Sequence, residues 1–370
     1  MTRLRPLVAL TVLFGVSTAV TTAQQTPVAG TGTIFVGSYS GHLTAVDEAT
    51  GQFSKIPLSS GPPFVVRLST DKTRFYVQSA NQERFEVVDV ASRKSVDTFT
   101  LSDGRRHVRA LAYEVDPQHK TIVLVAKTAT KQIDRWEVGP AEFLIYDLAT
   151  HTVTRTVPWR LDPEPSYFTV ALRFSPDGTL LYVFGQEVTI FDVATMTQVD
   201  SWDLSLPVDT AMSRIDVGPQ DDSADRPGLV TGLFITQDAV MKRKTLSVGL
   251  IDLAAKTVDV FPLGPVPEAD GMSFTVAPGR RRANILLAEI GRHRLLTVDM
   301  EARRVVGQVD VPTRTRMQMR SSANGLLYLY EAGRTIEVFS ADATTRLRTI
   351  ELDSDMMYFT FTILPPAAAR

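Results

Sequence analysis

The chain has 370 residues, 44% of them hydrophobic and 22% charged, a composition able to support a sizeable packed core. Its formal net charge is -2, so no overall field points to nucleic acid or to an anionic membrane surface. It has no cysteine, which excludes a disulfide framework, a thiolate metal site and c-type haem attachment.

The first element is a leader. Arg3 and Arg5 form a positive end, residues 7–20 an apolar stretch, and Thr21-Thr22-Ala23 a small-residue site that predicts a cut after Ala23. About 14 apolar residues are short for a membrane span, which needs roughly 20. Residues 1–23 are therefore expected to be a signal peptide, giving a periplasmic or secreted protein without a membrane span when mature. An uncleaved anchor is the other reading. Residues 24–31 read as a flexible lead-in.

One short phrase then recurs seven times: an apolar run, an acid, and a turn of small residues. Its acids are Asp47, Asp89, Asp147, Asp192, Asp252 and Asp299, with Ser340 in the seventh copy. The gaps are 42, 58, 45, 60, 47 and 41 residues. Spacings of roughly 40–50 residues suit a four-stranded propeller blade, and the two longer gaps predict insertions in the third and fifth repeats. Within one repeat, residues 169–174, 180–184, 188–192 and 198–202 read as strands, rich in Val, Ile, Phe, Tyr and Thr. Ser175-Pro176-Asp177-Gly178 reads as the first turn.

Aligned on that turn, the innermost strands stack an apolar position: Val66, Tyr113, Leu172, Ile215, Phe274, Met319 and Phe361. The next position is polar throughout: Arg67, Glu114, Arg173, Asp216, Thr275, Arg320 and Thr362. Side chains alternate faces along a strand, so each innermost strand has one apolar and one mixed face. The first repeat opens at Ile34 with a second strand, and residues 357–364 are expected to supply its missing innermost one. The predicted fold is all-β: a seven-bladed propeller over residues 32–364, with four-stranded antiparallel blades. The C-terminal strand closes the ring by pairing into the first blade, and residues 365–370 form a tail.

Phe75-Tyr76-Val77 followed by Phe85-Glu86-Val87-Val88-Asp89-Val90-Ala91 resembles the YVTN-type propeller repeat, as does Leu181-Tyr182-Val183 followed by Val188-Thr189-Ile190-Phe191-Asp192-Val193-Ala194-Thr195. These repeats are similar to those of bacterial seven-bladed propellers, including the large, non-catalytic chain of quinoprotein amine dehydrogenases. The resemblance implies a bacterial propeller. In the amine dehydrogenases the quinone sits on a separate small subunit, which the resemblance would make the partner of this chain. No catalytic residue carries over, because the matching positions are strand and turn residues, and Ser340 departs from the repeated acid.

The repeated acids read as turn caps, accepting hydrogen bonds from their own backbone. On the innermost strands, Arg67, Glu114, Arg173, Asp216 and Arg320 would gather at the central channel. They read either as ion pairs between blades or as a site for a small anionic ligand, with arginine forks on a carboxylate or phosphate. The five histidines include no close metal-binding pair and no cofactor is expected; His119 and His151 read as solvated turn residues. A lactonase or lyase would need a base beside an acid, for which His107 with Glu114 is the nearest pair. Asp221, Asp222 and Asp225 form an acidic turn without a calcium-loop pattern. The inserts, residues 128–142, 218–229 and 237–244, read as recognition loops, with Trp136 a candidate anchor for a protein partner. The favoured expectation is an exported non-catalytic scaffold or binding module; a redox-complex subunit and a channel enzyme are the alternatives.

Overall fold

The computed structural model describes residues 30–166, 170–185, 187–202, 227–237, 240, 243–265, 273–277, 279, 281–289, 291–312, 317–322, 324–357 and 360–366. The leader, Asp216, Ile215, Asp221, Asp222 and Asp225 lie outside these residues.

Short strands that are apolar on both faces must be covered on both faces, and a ring of radially packed sheets does this without a separate helical layer. The described residues form seven antiparallel sheets, six of them four-stranded. The fifth has three described strands, and its expected innermost strand falls outside the described residues. The protein is a seven-bladed β-propeller. Its seven apolar clusters each lie between neighbouring blades. Tyr76 and Phe85 of blade 2, for example, pack against Tyr113, Leu124 and Tyr146 of blade 3. Outermost strands such as Thr152–Pro158 are exposed along nearly their whole length, because no blade covers the rim.

The ring closes as expected. Thr362–Leu364 pairs antiparallel with Thr33–Ser38, with Thr33 opposite Leu364 and Phe35 opposite Thr362. Phe361 is buried and stacks on Tyr330 of blade 7, 4.2 Å between ring centroids. The stacked register also holds. Val66, Tyr113, Leu172, Phe274 and Met319 lie opposite Val77, Leu124, Val183, Ile285 and Leu329.

The repeated acids cap their turns. Asp47 Oδ1 accepts from the Thr50 N–H at 2.7 Å, and Asp89, Asp147 and Asp192 accept from the N–H three residues on at 2.7–2.8 Å. Together with bonds from the hydroxyls of Ser92, Thr195, Thr50 and Thr150, these hydrogen bonds hold the carboxyls of Asp89, Asp192, Asp47 and Asp147 below the usual carboxylate range. Each cap forces the residue that follows into the left-handed region. Gly51, Arg93, His151, Met196, Lys256 and Arg303, each four residues after its Asp, have φ between 51° and 75°. In the seventh turn Ser340 hands its place to Asp342, and Ala343 takes the positive φ of 60°.

His151 is an exposed turn residue, as expected, whereas His119 departs from that expectation and is mostly buried. Both hold left-handed turn positions and both reach back to blade 2. His119 Nδ1 lies 2.7 Å from the Tyr76 hydroxyl and Nε2 lies 3.0 Å from Asp71. His151 Nε2 lies 3.0 Å from Asp97.

The insert in blade 3 lengthens strands, and the described strands of blade 5 are long as well. Blade 3 has strands of 10, 11 and 12 residues, Arg106–Val115, Thr121–Lys131 and Trp136–Asp147. Blade 5 has Leu229–Gln237 and Lys244–Asp252, nine residues each. In an up-and-down antiparallel blade, the turn between second and third strands emerges at the same end as the crossovers between blades. Both extensions therefore rise from one face of the ring, called here the crossover face.

Candidate functional site

Two places gather the sequence-derived residues. The first is the channel wall. Arg67, Glu114 and Arg173 occupy equivalent positions on the innermost strands of blades 2, 3 and 4. Glu114 Oε2 accepts from Arg67 at 3.1 Å and from Arg173 at 3.2 Å. Arg67 also lies over the Tyr113 ring, 5.3 Å from its centroid. One carboxylate thus staples three blades, which matches the ion-pair reading for Arg67, Glu114 and Arg173. Arg320 sits apart, on the innermost strand of blade 7, and donates to Phe361 O at 3.3 Å and Met319 O at 2.9 Å. It reinforces the closure between blades 7 and 1. Asp216 lies outside the described residues.

The second place is the extension of blade 3. The turn at residues 132–135 carries its tip beyond the ring, where Ile133 is fully exposed and Val138 is 64% exposed. Strand alternation puts His107 and Arg109, Lys127, Ala129 and Lys131, and Trp136 and Val138 on one side of this small sheet. The register agrees, with His107 opposite Ala129, Val138 opposite Ala129, and Trp136 opposite Lys131. Trp136 meets the His107 ring edge-on, 4.7 Å between centroids, and remains 45% exposed.

His107 does not pair with Glu114. The two residues stand at opposite ends of one strand, seven residues and roughly 23 Å apart. Its partner is Glu83, from the second-to-third turn of blade 2, with Nδ1 2.9 Å from Oε2. Arg109 Nε lies 3.8 Å from the same carboxylate. Burial opposes ionisation of Glu83, but hydrogen bonds from His107 and Ser102, with the charge of Arg109, hold its carboxyl below the usual range. Sequence reasoning missed Glu83 because its partner lies on the next blade, 24 residues along the chain.

Chemically, the Glu83 carboxylate orients the imidazole and anchors the face from which Trp136 projects. The extension thus presents a half-exposed indole with Lys131 opposite it on the neighbouring strand. Among the described residues, no three His, Cys, Asp or Glu side chains are grouped to hold a metal ion. No helix among them is long and apolar enough to cross a membrane.

No family model and no curated protein matches the sequence. Among solved structures, the chain is similar to Kuenenia stuttgartiensis hydrazine synthase, with 16% identity, 89% of this chain and 99% of that chain covered, and a TM-score of 0.52. It is also similar to a functionally unknown protein from Desulfotomaculum acetoxidans, with 13% identity, 91% and 100% coverage, and a TM-score of 0.51. At these identities the likeness carries the fold and leaves the chemistry to the chain's own residues.

Proposed function

We propose that the protein is an exported binding module that recognises a protein partner through the extension of blade 3. One observation carries this reading. Blade 3 lifts Trp136 clear of the ring on a three-stranded support and fixes it against His107, which Glu83 holds in turn. A half-exposed indole on a rigid strand is a low-entropy anchor for an interface. Lys131, opposite Trp136 on the neighbouring strand, favours a partner surface that sets a carboxylate beside an apolar centre. The leader at residues 1–23 supports export.

The test places a photo-crosslinking amino acid at position 136, or at Val199 on the exposed outer strand of blade 4, in the native host. The proposal expects one protein to be captured from position 136 and not from position 199. It also expects Trp136→Ala to abolish its co-purification with the tagged chain. Equal labelling from both positions, or co-purification that survives Trp136→Ala, would refute the assignment. N-terminal sequencing of the mature protein checks the cut after Ala23.

A further inference from the structure

A groove of about 630 Å³ runs between blades 1 and 2, away from the extension of blade 3. Leu58 and Ser59 of the crossover form one wall, and the outer strand Lys94–Thr100 of blade 2 forms the other. Glu86, from the third strand of blade 2, forms its floor and is fully buried. Glu86 Oε2 accepts from the Ser60 N–H at 2.8 Å and from the Ser59 hydroxyl at 3.2 Å. Glu86 Oε1 has no hydrogen-bond partner among the described residues. A buried carboxylate oxygen without a donor is costly unless a cation or a proton meets it.

The repeat shows what is missing. Three residues before the turn acid stand Thr44, Glu86, Leu144, Thr189, Gly249, Leu296 and Glu337. Blades 2 and 7 place a carboxylate there, and in both it sits opposite a threonine of the outer strand, Thr98 or Thr349. In blade 7 the outer strand supplies Arg346, whose guanidinium lies 3.2 Å from Glu337. By the same register, including the same one-residue shift, the blade 2 residue matching Arg346 is Ser95, and the one matching Arg348 is Asp97. Blade 2 thus keeps the acid and loses the arginine that meets it in blade 7, while Asp97, on the opposite face of the strand, meets His151 of blade 3. Ser95 and Asp97 line the groove, and no lysine, arginine or histidine does.

We propose that this groove is a binding site for a primary alkylammonium group, which takes the place filled in blade 7 by an arginine of the chain itself. The ammonium would donate to Glu86 Oε1, with the Thr98 hydroxyl beside it, while Leu58 and the exposed Val96 cover its methylene stem. The same chemistry is offered by a free amine and by a lysine side chain of another protein.

The test titrates the full-length protein with n-butylammonium chloride by calorimetry, using 1-butanol and sodium chloride at matched ionic strength as controls. Saturable binding of the ammonium, absent for both controls, is expected. Glu86→Gln should weaken it by about tenfold or more, since a charge-assisted hydrogen bond is replaced by a neutral one. Ser95→Arg should restore the blade 7 pairing, raise the melting temperature and abolish butylammonium binding. That variant keeps the buried acid and serves as the test should Glu86→Gln fail to fold. Nα-acetyl-lysine amide binding more tightly than butylammonium would identify a partner's lysine as the occupant, and the reverse order a free amine. No saturable binding, or binding that persists unchanged in Ser95→Arg, would overturn the proposal.

Discussion

Glu48 follows directly after the first repeated acid, in a turn, yet its side chain is fully buried. Its Oε2 accepts from the Gly32 N–H at 2.6 Å, and its Oε1 accepts from the Tyr328 hydroxyl of blade 7 at 2.5 Å. Arg348 of blade 7 donates to the Glu48 and Ala49 carbonyls. Gly32 itself sits so close to Leu364 O and the Glu48 carboxylate that a Cβ there would overlap both. One side chain therefore ties the entry of the first strand to blade 7, beside the C-terminal strand that packs on Gly32. Glu48→Ala strands two buried donors, each costing about 1–3 kcal/mol, and leaves a cavity beside them. The expected loss is about 3–5 kcal/mol, measured by urea unfolding followed through tryptophan fluorescence. Glu48→Gln keeps the volume. Its carbonyl can accept from Gly32 and its amide can donate to the tyrosine oxygen, so the expected loss is about 1–2 kcal/mol. If Glu48→Ala falls within about 1 kcal/mol of the parent, the hydrogen bonds do not hold the seam. If the two variants lose equal stability, packed volume is what matters and the argument from donors fails.

Further outcomes follow from the closure, the turns and the buried tyrosines. Deletion of residues 356–370 removes the strand beside Thr33–Ser38 and uncovers Tyr330, so the melting temperature should fall for the whole ring; an unchanged melting curve would mean that closure contributes nothing. Lys256→Gly should stabilise by about 0.5–1 kcal/mol in thermal melts, because glycine accepts the φ of 51° without strain and only an exposed ion pair with Asp200 is lost. Met196→Gly, at the same turn position but 4% exposed, should instead destabilise through lost packing. Burial pushes the hydroxyls of Tyr76 and Tyr146 up to about 12, and burial together with the Glu48 carboxylate raises Tyr328 further. The folded state therefore holds these protons more tightly than the unfolded chain. The stability they contribute is complete below about pH 10 and is lost as pH rises towards 12. Urea midpoints measured from pH 8 to 12 check this, and a flat profile would count against it.

Local chemistry repeated with a fixed period is what made the ring legible. The turn acids, the apolar register from Val66 to Phe361 and the closing strand all follow from patterns read within one repeat and multiplied. The channel-wall pairs of Glu114 with Arg67 and Arg173 were legible because they occupy the stacked position, but contacts between blades away from that position were not. Glu83 with His107, Glu48 with Tyr328, and His119 with Tyr76 each join residues whose separation along the chain says nothing of their nearness. The extension of blade 3 read as a recognition loop, and it contains a Gly139-Pro140 pair of the kind that interrupts strands. The sheet absorbs that pair as a register shift between Val138 and Ala141 and continues. Where one blade differs from its neighbours at an equivalent position, the difference is not required by the fold, since the other blades fold without it. Trp136 on its lengthened strands and Glu86 without an arginine are both such differences. A position that the ring does not need, yet that carries an exposed indole or a buried charge, is where binding can be built without cost to the scaffold's closure.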